Sequence, residues 1–570
     1  MKVCVVGAGP SGLTAVKQLL DEGHDVVCYD KNPGLGGIWL RTGDDGEQTK
    51  AFDNLHLTIS MRLMAYSDHP FQGGRVFYSR ERYYAYLREY ADRFGLLDHI
   101  EPGSEVTDLT RTGRGWTVSV RRDGEMVDNV FDAVAICTGP FKSPNRAIPG
   151  LEGFAGEIVH SAEYRNNERF TGKRVLIVGL AESGADIVRE IGEVSQTCTL
   201  AIRSYTFLLA RIYHGTKTTD QSTTRSHHHE MMRRGTDHPS PYESFWGRST
   251  LAKLFFLAAT IAYGLASTAL GVLGVLRDRI TGRGNDSSRL NPFGQPVEPE
   301  KIDIDTIRTH ENVDLIRTWN QRSHPGGSWA PRGIFCKNVS FIPSIATGKV
   351  QLNDAGLERA EGTKVFFKDG TAAEYDVVVL CTGYIRADLG IGDLRVADGN
   401  VRNLYRNFLH PDHDGTAAFI GYVRPFSGGI PICAEMQARY FARVCSGKQA
   451  LPADLDKRVA REREWGEYWI EFSPRHTEAI PSQVLYLDAL AREIGCLVPM
   501  WRMLLNPRLF IQLWFGSFNQ SCYRLVGPHS LGAAARADLY SEPVDNRRFV
   551  AFFLPLLQLM PSSVHPKDYA

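Results

Sequence analysis

The chain has 570 residues, 43% of them hydrophobic and 23% charged, which leaves room for two or three globular domains with sizeable cores. Lys plus Arg and Asp plus Glu balance at 65 each, so no global field favours a polyanion and nucleic-acid binding is set aside. The ten cysteines are scattered with no CxxC spacing, which argues against a zinc ribbon or a dithiol redox pair and for a reducing compartment.

The chain starts MKVCVVG and enters an apolar strand at once, so no cleavable secretory leader is expected and the expected location is cytoplasmic. Residues 3–6 read as a buried strand, GAGPSG at 7–12 as a turn, and residues 13–20 continue at helical spacing. A second strand at 26–29 closes on Asp30, completing a β-α-β unit. Gly7 permits the tight bend, Gly9 lets the backbone approach a pyrophosphate, and Gly12 allows helix to pack closely on strand. Pro10 and Ser11 complete the turn at the amino end of the helix, which faces the anion, and Asp30 stands where a carboxylate accepts from a ribose hydroxyl. Gly34, Gly36 and Gly37 of PGLGGIW, followed by Trp39, form a further turn able to approach the same phosphates.

AVAICTG at 133–139 is an apolar strand closed by Thr138-Gly139, and a second strand-turn-helix, VLIVGLAESGAD, occupies 175–186. Its fingerprint has Gly179, Ser183 and Gly184, but Ala181 at the middle glycine adds a methyl where the backbone would press on a pyrophosphate. The strand at 197–204 ends on Arg203 and Ser204, not on an acid, and a cation there suits a 2′-phosphate and favours NADP over NAD. VVVLCTG at 377–383, closed by Thr382-Gly383, echoes the strand at 133–139. The fold class expected is α/β: two Rossmann-like dinucleotide-binding domains, the NADP domain inserted into the FAD domain, with a helical C-terminal region. The boundaries expected are 1–165 and 326–446 for the two parts of the FAD domain, 166–325 for the NADP domain with an apolar insertion around 210–290, and 447–570 for the helical region. One site holds a resident flavin and the other a nicotinamide that delivers hydride.

Histidines 227–229, in polar and loop-like surroundings, point different ways in any regular structure, so no metal site is assigned. Residues 254–276 carry no charge; as a helix they would be about 35 Å long, enough to cross a bilayer. A single crossing conflicts with a flavin site that needs Gly7 and Gly383 on one side, so a hairpin or an interfacial helix is expected instead. The apolar tail at 549–560 is too short to span and is broken by Pro555; both segments have buried core or a homo-oligomer contact as the alternative.

Phe154, Gly156, His160 and Tyr164 in FAGEIVHSAEY fall at FxGxxxHxxxY spacing, which closely resembles the signature of flavin-containing monooxygenases. GGIW at 36–39, MAYSDHPF at 64–71, CTGY at 381–384, EMQARY at 435–440 and YRLVGP at 523–528 extend that resemblance over roughly residues 1–540. The resemblance implies bound FAD reduced by NADPH, then a C4a-hydroperoxide shielded by retained NADP+ until a soft nucleophile, an amine nitrogen or a sulfide of a small lipophilic substrate, takes oxygen from it. Thr138, Gly139, Thr382, Gly383 and Gln437 complete the cofactor-binding set. His160 is read as structural, and Tyr164, where Baeyer-Villiger relatives carry tryptophan, favours heteroatom oxygenation. Thr58 is the catalytic candidate: the family places an asparagine at the aligned position, and Thr58 offers a hydroxyl donor on a shorter arm. The alternatives are Baeyer-Villiger oxidation of ketones, or an NADPH oxidase releasing hydrogen peroxide. Membrane-bound animal relatives add an expectation of peripheral membrane contact, on the cytoplasmic or endoplasmic reticulum face.

Overall fold

The computed structural model describes residues 1–41, 50–213, 217–234, 242, 258, 261–262, 265, 280, 310–323, 335–385, 389–426, 428–469, 476–542 and 544. Two five-stranded parallel sheets organise them. The first contains β1 (Lys2–Val6), β2 (Asp25–Tyr29), β3 (Ile100–Glu101), β7 (Ala133–Ile136) and β16 (Ala417–Phe419), in the order β16-β7-β1-β2-β3. Its central strands read as unbroken apolar runs because both faces are covered. Helix α1 (Pro10–Asp21) fills one face, with Leu13, Val16 and Leu19 wholly buried, and packs against α5 (Ile430–Cys445). The other face meets the antiparallel meander β4 (Ser104–Thr112), β5 (Gly115–Arg122) and β6 (Glu125–Phe131), whose Trp116 and Val118 share a cluster with Cys4, Val6 and Ile136. Pro10 starts α1 at a position whose N–H would go unused, with φ already suited to a helix.

The second sheet lies between the strands of the first in the chain, as the inserted-domain topology requires. It contains β8 (Glu157–His160), β9 (Arg174–Val178), β10 (Thr197–Ala201), β11 (Gln351–Asn353) and β15 (Val377–Leu380), in the order β11-β10-β9-β15-β8. A small meander, β12 (Leu357–Glu361), β13 (Lys364–Phe367) and β14 (Ala372–Glu374), lies between β11 and β15 in the chain. Helix α3 (Glu182–Val194) follows β9 as α1 follows β1. Strand pairing joins segments on either side of the expected boundaries. β8 lies before residue 166 yet pairs with β15, and β15 lies after residue 326 yet pairs with β9, Val378 opposite Leu176. The chain rejoins the first sheet only at β16. The physical reason is that a parallel dinucleotide sheet needs a strand on each side of its fingerprint strand, and VVVLCTG supplies that neighbour to the second fingerprint as AVAICTG does to the first.

The C-terminal region is helical over its described part, with α6 (Leu455–Trp469), α7 (Gln483–Ile494), α8 (Pro507–Phe515) and α9 (Ala533–Ser541). The histidine run, expected to be loop-like, lies in helix α4 (Arg225–Arg234), which packs against α7 and α8. His228 is buried there with Nδ1 2.9 Å from Ser482 Oγ, and His229 Nε2 is 3.7 Å from Asp488 Oδ2. The apolar run at 254–276 and the tail at 549–560 fall outside the described residues, apart from positions 258, 261, 262 and 265. Among the described residues no helix is long and apolar enough to cross a membrane.

Candidate functional site

The two fingerprints have the same local construction. Gly7 has φ of 102°, and a Cβ there would lie 2.9 Å from Cys137 O; Gly179 has φ of 91°, and a Cβ there would lie 2.8 Å from Cys381 O. A Cβ on Gly12 would strike Gly7 O at 1.7 Å, so no side chain fits. The equivalent position at Gly184 is looser, 3.3 Å from Gly179 O. The cysteine of each CTG echo is thus the wall against which the neighbouring glycine turn packs. Ala181 caps α3 in an extended conformation that any residue adopts, which is why the missing middle glycine leaves the turn intact.

A cleft of about 1000 Å³ opens beside the first fingerprint, at the upper end of the roughly 300–1,000 Å³ usual for small-molecule and cofactor sites. Of the expected cofactor residues it brings together Gly7, Gly9, Pro10, Ser11, Asp30, Gly37, Trp39, Thr138 and Gly139, with Thr58 half-buried on the same wall. The cradle is shaped for an elongated anion: a Cβ on Gly37 would come within 3.0 Å of Gly9 Cα, so the two turns meet backbone to backbone. Gly36, behind it, has φ of 109° and a Cβ there would meet the ring of Tyr84, on helix α2 (Arg80–Arg93), at 2.8 Å. Asp30 accepts from Ala8 N at 2.6 Å and Asn32 N at 2.8 Å at the carboxyl end of β2, and burial raises its carboxyl. These features fit the adenosine-diphosphate part of FAD, with Asp30 on the ribose and the turn amides on the phosphates.

Other expected residues do not line this cleft. Gln437 is wholly buried, accepts from Gly421 N at 2.8 Å and donates to Tyr486 OH at 2.7 Å. It therefore shapes the Gly421 turn that faces Ser11. Thr382 Oγ1 donates to Asn145 O at 2.6 Å, and Gly383 O accepts from Asn145 N at 2.9 Å, so both serve the ribbon in which residues 143–144 pair with 384–385. Gly12, Gly36, Gly179, Ser183 and Gly184 sit behind or beyond the cleft wall, while Glu182 of the second fingerprint reaches it. Arg203 is exposed just past β10, where a 2′-phosphate would be met from solvent.

The FxGxxxHxxxY signature proves to be a joint. His160 Nδ1 accepts from Ala162 N at 3.1 Å, which leaves the proton on Nε2, and Nε2 donates to Gly383 O at 3.0 Å. Burial lowers its pKa, in keeping with a neutral ring. Tyr164 is fully buried, its hydroxyl donating to Glu190 Oε2 at 2.6 Å between Phe52 and Phe170. Tyr164 thus anchors α3 and has no place on the cleft wall.

Sequence reasoning missed the charged part of the wall. Lys337, 6% exposed, and half-buried Arg424 line the cleft beside Glu182. Lys337 is fixed by its own N–H, which donates to Glu182 Oε1 at 3.0 Å, and Arg424 by donation from its N–H to Glu478 O at 2.7 Å. Burial lowers both cations, and it raises the Glu182 carboxyl. Lys50 and His56 join the wall; burial brings Lys50 down to about 8 and His56 down to about 4. Lys31, Glu105, Lys142 and Arg395 add further charge to the lining, and Leu55, Leu57, Ile59, Met64, Phe335 and Phe426 give it an apolar stretch.

Comparison with known proteins agrees with this fold. The model of the family described as flavin-binding monooxygenase-like matches residues 1–238 and 333–546. A 4-hydroxybenzoate brominase (decarboxylating) of Marinomonas mediterranea is 34% identical over 549 residues, 95% of this chain and 93% of the relative. The mouse (Mus musculus) dimethylaniline monooxygenase [N-oxide-forming] 4 is 30% identical over 560 residues, 94% of this chain and 86% of the relative. Among solved structures, S-allyl-L-cysteine S-oxygenase from Allium sativum shares the fold at a TM-score of 0.53 and 20% identity, covering 89% of this chain and 92% of its own. An NADP+-bound cyclohexanone monooxygenase from Rhodococcus sp. Phi1 does so at 0.52 and 16%, covering 87% and 97%.

Proposed function

The chain belongs to the flavin-binding monooxygenase-like family and is an oxidoreductase that uses FAD and NADPH, and we propose that it oxygenates a nitrogen or sulfur centre of a small lipophilic substrate. The observation that carries this reading is that Gly7, Gly9, Pro10 and Ser11 of the first fingerprint and Glu182 of the second line one cleft that also has an apolar stretch. Bound FAD, once reduced by NADPH, supplies an electrophilic oxygen from O2. The chain's own share is positioning and exclusion of water: Asp30 and the glycine turns hold the dinucleotide, the Leu57, Ile59 and Met64 wall keeps the reacting region dry, and Thr58 on the same wall carries the hydroxyl available as a donor. No nucleophilic serine, metal or paired carboxylate enters the scheme.

A second reading, oxidation of a halide on the way to a halogenated aromatic acid, is favoured by one observation: the cleft carries Lys337 and Arg424, cations that an uncharged amine or sulfide does not call for. Relatives at 34% and 33% identity bear the name 4-hydroxybenzoate brominase. The test is to mix NADPH-reduced protein rapidly with oxygenated buffer and analyse products with a tertiary amine, a sulfide, a ketone, and bromide plus a phenolic acid. An N-oxide or sulfoxide formed in step with NADPH supports the first reading. A brominated phenol supports the second, an ester points to Baeyer-Villiger chemistry, and peroxide equal to NADPH with every compound points to an oxidase.

A further inference from the structure

We infer that Lys337 and Arg424 form a subsite for a small monoanion, a halide or the carboxylate of the substrate, on the wall of the cleft; this rests on the cleft being the flavin site. Lys337 reaches the cleft from a segment bonded to Glu182 at the start of α3, and Arg424 from the short strand that pairs residues 424–425 with 479–480. Both are held at the backbone, Lys337 N–H donating to Glu182 Oε1 and Arg424 N–H to Glu478 O, which fixes where their side chains leave the main chain.

The charge inventory around them is unbalanced. Among the described residues no carboxylate lies within ion-pair reach of Lys337 Nζ or of the Arg424 guanidinium. The nearest acids have other partners. Glu182 accepts from the Lys337 backbone N–H, and Asp220 accepts from Ser60 N at 2.8 Å while Arg75 Nη1 lies 3.7 Å away. Asp186 is paired with buried Arg211 at 3.3 Å. Lys337 faces Asp220 and Glu182, and Arg424 faces Glu182, at longer range, but along the cleft lining Lys31, Lys50, Lys142, Lys337, Arg395 and Arg424 outnumber Asp30, Glu105 and Glu182. A lysine with nine-tenths of its surface buried and no ion pair is costly unless something completes it. A bound anion offsets part of that excess. A planar carboxylate suits the arginine fork and a spherical halide suits the ammonium, so the shared chemistry is single negative charge in a semi-apolar pocket.

The experiment titrates the oxidised holoenzyme with sodium bromide and separately with sodium benzoate at constant ionic strength, following the flavin difference spectrum. A saturable perturbation is expected with at least one of them, weakened tenfold or more in Lys337→Met and preserved in Lys337→Arg. Saturation by bromide alone assigns the site to free halide, and by benzoate alone to a substrate carboxylate. Arg424→Gln, at a half-buried position, carries the same test should Lys337→Met fail to retain flavin. The absence of saturation in the wild type overturns the inference, as does an unchanged anion affinity in Lys337→Met with a tenfold rise in KM for NADPH, which would put a cofactor phosphate there. Wild-type protein that binds no FAD would instead refute the reading of the cleft.

Discussion

Replacement of Arg524 by methionine is expected to destabilise the holoenzyme by about 3–5 kcal/mol, the usual cost of removing one partner from a buried ion pair. Arg524 is 1% exposed and its guanidinium is surrounded: Nε donates to Ser67 Oγ at 2.8 Å, Nη2 to Asp68 Oδ2 and to Glu435 Oε1, both at 2.8 Å, and Nη1 to His529 O at 3.2 Å. Without it Asp68 keeps Lys17 at 2.8 Å and Gln18 at 2.9 Å, but Glu435 keeps only the N–H and hydroxyl of Ser67. The loss therefore falls on Glu435, fully buried in α5. In thermal unfolding followed by flavin release this corresponds to a fall in Tm of about 6–20 °C for a domain of this size. Glu435→Gln in the Arg524→Met background should recover part of the loss, because the stranded charge is gone. Burial alone would raise the Asp68 carboxyl, but Arg524 and Lys17 hold it well below the usual range. Its folded pKa being depressed, the contribution is complete above the unfolded carboxyl value of about 3.9 and is lost as pH falls below it, so the wild-type advantage should shrink in acid. An Arg524→Met protein that melts within 1 kcal/mol of wild type at neutral pH would refute the reasoning.

Two further predictions concern other regions. Burial and the flanking His227 and His229 push His228 down to about 3, so its neutral form is the folded one: the stability it secures is complete above the unfolded value of about 6.5 and is lost as pH falls. Between pH 7 and pH 5 the loss from this group is about 2 kcal/mol, and urea melts of His228→Asn should show a correspondingly flatter pH dependence. Arg203→Gln should raise KM for NADPH roughly tenfold to a hundredfold, the scale of a hydrogen bond to a charged group, with KM for NADH little changed; equal effects on both coenzymes would remove Arg203 from the 2′-phosphate site.

The parts of the fold legible in the sequence are those in which the chemistry is local. The turn from Gly7 to Gly12 is read from spacing because the clash that Gly12 avoids is with Gly7 itself. Asp30 is read because it ends the strand next to that turn. Lys337 and Arg424 escaped because they meet only through the inserted domain, with no shared local pattern. A charged residue inside FCKNVSF was the one available signal, since Lys337 interrupts a stretch that is otherwise apolar or small and polar. The CTG echoes were visible but their roles were not: similar strands flank different fingerprints, and sequence alone does not say which sheet a strand joins. MAYSDHPF, EMQARY and YRLVGP looked like separate landmarks, yet through Asp68, Glu435 and Arg524 they are one buried ion network.

The ribbon formed by residues 143–144 and 384–385 brings the entry and exit of the second domain side by side, a hydrogen bond apart. The intervening chain is therefore a cassette with adjoining ends, the geometry that lets natural and engineered insertions fold inside a host. Exchanging everything between the two arms of this ribbon for the corresponding stretch of a relative would transplant coenzyme preference as one unit. The first sheet, its glycine turn and the Arg524 network would be left uncut. Glu182 and Lys337 would travel with the cassette and Arg424 would stay with the host, so such chimaeras would also sort which half of the cleft chooses what is oxidised.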